Sequence, residues 1–112
     1  MNKKDILRKK LRIRAHISGD ATVPRLAVYK SSKHNYAQLI DDTKQTTIAS
    51  INDVQNNDKI TKSERAIIIG KEIAKIAISK KIKSVKFDRG GFIYHGRIKN
   101  IAEGARSEGL EF

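Results

Sequence analysis

Three short runs after the only proline alternate between apolar and other residues and predict three β-strands. In the first run, RLAVYKS, Leu26 and Val28 are expected on one face of a strand and Ala27 and Tyr29 on the other. The second run is YAQLI, and the third extends from residue 46 to about residue 52. Because only short polar turns separate the runs, they predict an antiparallel meander.

A longer pattern predicts a helix after the meander, because small and apolar residues recur there with the 3.6-residue period of one helix face. The residues of this face are Ala66, Ile69, Gly70, Ile73, Ile76 and Ala77. Ser63 stands just before Glu64 and is the predicted N-cap of the helix. Since Gly70 has no side chain, we expect the helix to lie close to a sheet at that position.

The last third of the chain predicts one more strand and one more helix. Residues 84–88 have the pattern of a short strand, and a strand reached through a helix is expected to run parallel to a meander strand. Residues 96–108 have helical spacing, with Gly109 as a natural stop. The element order β-β-β-α-β-α predicts an α/β (mixed α+β) fold, in which helices pack against one mixed sheet.

A basic arm, residues 1–19, precedes a predicted single globular domain of residues 20–112. The arm carries seven Lys and Arg residues and one acid, which is half of the chain's formal net charge of +12. The apolar residues of the arm fit both helical spacing and strand alternation. We expect the arm to become helical when a polyanion neutralises its charge.

The charge makes a polyanion the expected partner, with nucleic acid first and an anionic membrane surface second. The longest fully apolar run, residues 66–69, is far shorter than the roughly 18 residues that a spanning helix needs, and the arm has no Trp or Phe to anchor it in a membrane. The absence of Cys excludes disulfides and thiolate zinc sites. We therefore expect a soluble cytoplasmic protein without membrane or small-molecule partners.

The segment FDRGGFIYHGR, residues 87–97, concentrates glycines, aromatic rings and basic residues. Gly90 and Gly91 lie between a predicted strand and a predicted helix, a position that favours anion binding by backbone N–H groups. Neither the P-loop pattern nor the dinucleotide fingerprint is present, so no nucleotide cofactor is expected. Arg89 and Arg97 offer planar guanidinium groups to phosphates.

Three rings of the same segment, those of Phe92, Tyr94 and His95, are suited to stacking on unpaired bases. An alternative places Phe92 in the protein core together with Ile93. For Phe92, the core and the base-stacking position are about equally expected. Tyr94, His95 and Arg97 are harder to bury together, so we expect them at an interface.

Two other functions, that of a ribonuclease and that of a nucleic-acid architectural protein, are compatible with the residues. His34 and His95 are candidates for the acid and base of a metal-free ribonuclease. The candidates for a metal site that cleaves phosphodiesters are four aspartates at strand ends: Asp41, Asp42, Asp53 and Asp88. Such aspartates are also ordinary turn formers, so no catalytic or metal-binding residue is assigned. A general nucleic-acid architectural protein would share the charge but has no need of an aromatic loop.

Between the first two predicted strands, the segment KSSKHNY, residues 30–36, combines lysines, hydroxyl groups, a histidine and a tyrosine. Each residue alone is typical of a solvated hairpin. With the arm and the glycine-rich segment, it gives three separate segments that favour contact with RNA.

The strings PRLAVYKSSKHNYAQLIDD and FDRGGFIYHGR, with the ending AxxARSEGLEF, resemble the bacterial large-subunit ribosomal protein eighteen family. The resemblance extends from about residue 8 to residue 112. It implies a non-enzymatic protein without cofactors, bound to a bacterial-type ribosome in the cytoplasm or in an organelle. The partners that it implies are 5S rRNA, 23S rRNA and the neighbouring large-subunit proteins that bind 5S rRNA.

The RNA-facing residues of that family, carried over to this sequence, fall in the arm, the hairpin and the glycine-rich segment. In the arm they are Arg8, Lys9, Lys10, Arg12 and Arg14. In the hairpin they are Arg25, Lys30, Ser32, Lys33, His34 and Tyr36. In the glycine-rich segment they are Arg89, Gly90, Gly91, Tyr94, His95, Gly96 and Arg97.

One departure from the family concerns the end of the long helix. The family usually has a glycine there, and this sequence has Lys81. A lysine is strained in the left-handed conformation that such a glycine adopts. We therefore expect this helix to end in a different way.

Overall fold

Four strands form one mixed sheet, and two helices cover one of its faces. The computed structural model describes residues 18–54 and 60–112, so the predicted helix of the arm lies outside the described residues. The strands are β1 Arg25–Lys30, β2 Asn35–Asp41, β3 Thr46–Asn52 and β4 Lys86–Asp88. The helices are α1 Lys62–Ser79 and α2 Arg97–Ser107. Neither described helix is long and apolar enough to cross a membrane.

The order of the strands in the sheet is β3-β2-β1-β4. β1 pairs antiparallel with β2, and β2 pairs antiparallel with β3, which confirms the predicted meander. β4 pairs parallel with β1, from Arg25 opposite Lys86 to Ala27 opposite Asp88. The parallel return of the chain through α1 confirms the predicted α/β fold with a mixed sheet.

The fourth strand is shorter than the sequence pattern predicts. The N–H of Val85 donates to the carbonyl oxygen of Glu111 at 3.0 Å, and the N–H of Glu111 donates to Lys83 at 2.9 Å. The backbone before β4 therefore pairs with Glu111 instead of with β1.

The hydrophobic core lies between the sheet and the two helices. Leu26 and Val28 of β1 and Leu39 of β2 are at most 1% exposed. They belong to one cluster with Ile73 of α1 and Ile101 of α2. Because side chains alternate across a strand, the residues between them lie on the opposite face of the sheet.

The two helices approach each other closely at a pair of glycines. A Cβ atom on Gly70 of α1 would lie 2.0 Å from the carbonyl oxygen of Ile101. A Cβ atom on Gly104 of α2 would lie 2.3 Å from the carbonyl oxygen of Ile67. The expectation that Gly70 approaches a sheet is therefore wrong, because its small size serves the contact between helices.

Helix α1 begins two residues earlier than predicted. Thr61 is the N-cap, with extended backbone, and its hydroxyl oxygen accepts a hydrogen bond from the N–H of Glu64 at 3.1 Å. Ser63, the predicted cap, lies inside the helix. Threonine and serine are both good N-cap residues. Thr61 is the cap because the backbone becomes helical directly after it.

Helix α1 ends in a Schellman motif built on a lysine. Lys81 has a φ of 64°, so the expectation of a different helix end is wrong. The N–H of Lys81 donates to the carbonyl oxygen of Ile78, and the N–H of Ile82 donates to that of Ala77, both at 2.9 Å. The Ile82 side chain is buried in the core. These interactions hold Lys81 in the left-handed region despite its Cβ atom.

Candidate nucleic-acid interface

The sheet face opposite the helices carries a pair of stacked tyrosines. We call it the open face and define it by the outward residues of β1 and β2: Ala27, Tyr29, Tyr36 and Gln38. Tyr29 and Tyr36 are cross-strand partners, and their ring centroids are 4.4 Å apart. Partial burial and the adjacent Tyr36 raise the pKa of Tyr29. The phenol of Tyr29 is therefore neutral near pH 7, and the two stacked rings offer flat apolar surface.

The turn between β1 and β2 presents Ser32 and Lys33 to solvent. Ser31 closes this turn: its N–H donates to the carbonyl oxygen of His34 at 2.9 Å, and its hydroxyl oxygen accepts from the N–H of His34 at 3.1 Å. Ser32 and Lys33, both predicted RNA contacts, are thus held at the tip of the hairpin.

A buried carboxylate holds the start of β2. Asp53 is 2% exposed and accepts hydrogen bonds from the backbone and the side-chain amide of Asn35, both at 2.9 Å. The Nδ1 atom of His34 lies 3.2 Å from the same carboxylate. This contact orients the ring of His34, whose side chain is 29% exposed.

Arg97, the first residue of α2, connects the glycine-rich segment to the hairpin. Its Nη2 atom donates to the carbonyl oxygen of Ser31 at 2.8 Å, and its Nη1 atom lies 3.4 Å from the carbonyl oxygen of His34. Two segments that are more than 60 residues apart in sequence therefore meet at one edge of the open face. The sequence places Arg97 at an interface, and the structure places its guanidinium on the hairpin backbone.

Arg25 lies in an internal ion-pair network. Only 6% of the residue is exposed, and its guanidinium contacts Asp42 at 3.0 Å and Asp88 at 2.7 Å. Burial lowers the pKa of Arg25, but hydrogen bonds and charge from the two aspartates outweigh burial and raise it overall. The structure thus assigns Arg25, a predicted RNA contact, to holding β4 and the turn after β2 against β1.

Three glycines shape the loop between β4 and α2. Gly90, Gly91 and Gly96 have φ values of 64°, 82° and 59°, a region that other residues rarely adopt. The N–H of Gly90 donates to Asp88 at 2.8 Å, and a Cβ atom at Gly90 would lie 2.9 Å from the carbonyl oxygen of Val28. Gly90 and Gly91 are buried, so they let the loop lie against the edge of β1.

Phe92 and Ile93 have opposite environments. Phe92 is half-buried against the core, with its ring centroid 6.5 Å from that of Tyr29 and 5.9 Å from the Nζ atom of Lys30. Phe92 therefore joins the core to the aromatic pair of the open face. Ile93 is 68% exposed, so the alternative that places it in the core is wrong.

Tyr94 is anchored, whereas His95 faces solvent. The ring of Tyr94 meets that of Phe87 edge to face with centroids 6.0 Å apart. Its hydroxyl oxygen accepts a hydrogen bond from Arg106 at 3.1 Å. His95 and Arg89 are exposed, so these two polar side chains of the loop are placed to meet a partner.

Sequence reasoning missed two residues that build this surface. Tyr29 could have been found from the hairpin, because a tight turn at residues 31–34 places it opposite Tyr36. Arg106 had no such signal, since its contacts with Tyr94 and with the ring of Phe112 depend on how α2 packs. The predicted contacts of the arm lie outside the described residues.

The four aspartates proposed as metal ligands are bound by the protein's own donors. Asp41 accepts from the hydroxyl of Thr43 at 2.6 Å, Asp53 accepts from Asn35, and Asp42 and Asp88 both pair with Arg25. Within residues 18–54 and 60–112, no group of three or more acidic or His side chains is placed to hold a metal ion.

Comparison with known proteins identifies the family. Residues 1–112 match the model of the family described as ribosomal L18 of archaea, bacteria, mitochondria and chloroplast. The chain is 56% identical to the large ribosomal subunit protein uL18 of Clostridium kluyveri over 110 residues, which cover 95% of this chain and 92% of the relative.

Two further relatives have the same name. The uL18 protein of Oleidesulfovibrio alaskensis is 50% identical over 111 residues, covering 95% of this chain and 92% of the relative. That of Staphylococcus aureus strain JH9 is 51% identical over 108 residues, covering 95% and 91%. The chain therefore belongs to the ribosomal L18 family, as a structural, non-enzymatic protein of the large subunit of a bacterial-type ribosome in the cytoplasm.

Proposed function

We propose that the protein binds 5S rRNA and helps to attach it to 23S rRNA in the large subunit, beside other large-subunit proteins that bind 5S rRNA. The observation that supports this proposal is the contact of Arg97 with the hairpin. It brings together, at one edge of the open face, two segments that each carry exposed basic residues. A surface with basic side chains around flat aromatic rings suits RNA that has both phosphates and unpaired bases.

The proposed contacts fall into two groups. Arg8, Lys9, Lys10, Arg12 and Arg14 of the arm supply phosphate contacts, which add affinity without selecting a sequence. The folded domain adds the exposed or half-exposed residues of the hairpin and loop. These are Lys30, Ser32, Lys33, His34, Tyr36, Arg89 and His95. The second group is held in fixed relative positions, so it supplies selectivity for one RNA shape.

The remaining predicted contacts act by supporting this surface. Arg25 closes the sheet through two carboxylates, Arg97 fixes the hairpin, and Tyr94 is tied to Arg106. Gly90, Gly91 and Gly96 give the loop its backbone shape. Replacing any of them would change the position of RNA-contacting groups.

A competition titration tests the proposal. Purified protein is titrated with folded 5S rRNA at two salt concentrations, with tRNA and equal-length duplex DNA as competitors. Binding to 5S rRNA that survives competition at the higher salt supports the proposal, because unselective phosphate contacts weaken steeply with salt. Equal competition by all three nucleic acids would overturn it and leave a general nucleic-acid-binding protein.

A further inference from the structure

A hollow of about 200 Å³ opens on the sheet between the hairpin and the glycine-rich segment. Its lining residues are Ala27, Val28, Tyr29, Tyr36, Gln38, Asp88 and Gly90. Both segments that Arg97 holds together therefore border the same cavity. Its lining combines aromatic rings with one side-chain amide.

We propose that this hollow receives one unpaired nucleobase of the bound rRNA. The base edge bonds to the amide of Gln38, and the base contacts the ring of Tyr29 or Tyr36. This inference rests on the proposed RNA binding and names the chemical group that the open face recognises.

The size of the hollow fits a base. Sites for drug-sized ligands have volumes of about 300–1,000 Å³, and this hollow is smaller. A single planar ring system therefore fits better than a complete nucleotide or cofactor. Stacking on an aromatic side chain contributes to the binding of any base, whatever its sequence.

Gln38 supplies the polar recognition. Its side chain is exposed on the open face, and within residues 18–54 and 60–112 its amide makes no hydrogen bond. A carboxamide places a donor beside an acceptor. This arrangement matches the neighbouring donor and acceptor on the edge of an unpaired base, as in the two hydrogen bonds that Gln and Asn make with adenine.

The charge around the hollow favours a neutral group over a phosphate. Its described lining includes no Lys or Arg. Asp88 contributes a carboxylate, but this carboxylate pairs with Arg25 at 2.7 Å and accepts from the N–H of Gly90. The negative charge is therefore offset inside the protein. Lys30, whose ammonium group lies 5.9 Å from the ring centroid of Phe92, is placed to bind a neighbouring phosphate.

Substitutions of Gln38 test the inference. Gln38→Ala removes the amide and Gln38→Glu replaces its donor by a charged acceptor. Ser50→Ala is the control, because Ser50 is the partner of Gln38 on β3 and lies outside the hollow. We expect each Gln38 variant to bind folded 5S rRNA about ten-fold more weakly than wild type. For Gln38→Ala the salt dependence should be unchanged, because no charge is lost.

Chemical probing of the RNA provides a second readout. At saturating protein, acylation of ribose 2′-hydroxyls reports which unpaired nucleotides remain mobile. We expect one unpaired nucleotide to be protected by wild type and by Ser50→Ala, and to become reactive in the complex with Gln38→Ala.

Two results would overturn the inference, and they are distinguishable. If wild type prefers 5S rRNA but Gln38→Ala matches it in affinity and in probing, the hollow holds no base and the proposed function stands. If wild type shows no preference for 5S rRNA over duplex DNA, the proposed function fails and this inference fails with it.

Discussion

The Nη2 atom of Arg97 lies 2.8 Å from the carbonyl oxygen of Ser31, and this hydrogen bond ties the start of α2 to the tip of the β1–β2 hairpin. Arg97 is half-buried, so its charge is directed at backbone oxygens of the protein. The glycine-rich loop and the hairpin consequently form one surface. A change at Arg97 should therefore affect RNA binding through geometry as well as through charge.

Arg97→Met should lower the free energy of unfolding by about 1–3 kcal/mol, because hydrogen bonds from a charged group are lost in a half-buried site. It should also reduce the preference for 5S rRNA over tRNA. Urea unfolding and the competition titration measure the two effects. Lys99→Met is the matched control, since Lys99 lies exposed on the same helix and its ion pair with Glu103 is long, at 3.8 Å. Equal effects of both variants on preference would show that Arg97 acts through charge alone.

The strands could be predicted from the sequence because their signals are local. The alternation after Pro24 and the polar turns predict β1, β2 and β3 to within about a residue of their observed bounds. The end of α2 is equally local, because Gly109 stops the helix with a φ of 100°. The family's strings also identify the hairpin and the loop as the candidate site.

The sequence did not reveal those features that depend on contacts between distant segments. Whether Gly70 faces a sheet or a helix depends on Gly104, which is 34 residues away, and sequence periodicity does not show which element is the neighbour. The sequence does not distinguish Arg25 from an exposed basic residue, because only the tertiary structure brings Asp42 and Asp88 next to it. For the same reason the hollow beside Gln38 could not be predicted from sequence.

Gly70→Ala should destabilise the protein by about 1–3 kcal/mol, as in other overpacked contacts. The added Cβ atom would lie 2.0 Å from the carbonyl oxygen of Ile101, so the helices must separate. This loss outweighs the gain in helix propensity of about 1 kcal/mol that alanine brings. Thermal unfolding checks the result against Lys71→Ala, a change on the exposed face of α1. Stabilisation by Gly70→Ala would show that the helices are not in close contact there.

Lys81→Gly should stabilise the protein by about 1 kcal/mol. The left-handed conformation of Lys81 is unfavourable for a residue with a Cβ atom, and glycine adopts it freely. Part of the gain is offset because glycine has more freedom in the unfolded chain. The melting temperature should therefore rise by about 4 °C. The control is Lys80→Gly, at a φ of −94°, which should not stabilise. A fall in melting temperature for Lys81→Gly would contradict the strain assigned to this helix end.

Asp41 should make the stability of the protein depend on pH in the acid range. The hydroxyl of Thr43 is the main cause that lowers the pKa of Asp41; burial opposes it, and backbone N–H groups add to the lowering. Because the folded pKa is depressed, the carboxylate stabilises the fold above its unfolded pKa of about 3.9. That stability is lost as the pH falls through the folded pKa.

Thr43→Val removes the main hydrogen-bond donor to Asp41. The free energy of unfolding should therefore decrease less steeply as the pH falls. Thermal unfolding from neutral pH down to about pH 2 measures this pH dependence of stability in wild type and variant. Thr47→Val, an exposed substitution on β3, should leave the shape of the curve unchanged. Parallel curves for wild type and Thr43→Val would mean that Asp41 does not contribute through this hydrogen bond.

Deleting residues 1–14 should flatten the salt dependence of RNA binding and weaken all RNAs together. The deleted segment carries seven basic residues and one acid, and each lost phosphate contact reduces the slope of log K against log salt by roughly 0.7–0.9. The preference for 5S rRNA should persist, because the hairpin and the glycine-rich loop remain. Titrations of 5S rRNA and tRNA over a range of salt concentrations measure both quantities.

The double variant Lys71→Ala, Lys75→Ala provides the comparison in which positive charge is removed from another part of the surface. It removes two exposed positive charges from α1, on the side of the molecule opposite the open face. If the slope of log K against log salt depends on where the charges lie, the double variant should change that slope little. The arm deletion should change the slope by several units. A deletion that abolishes the preference for 5S rRNA but leaves the slope unchanged would reverse the proposed roles, with the arm selecting the RNA and the folded domain supplying general affinity.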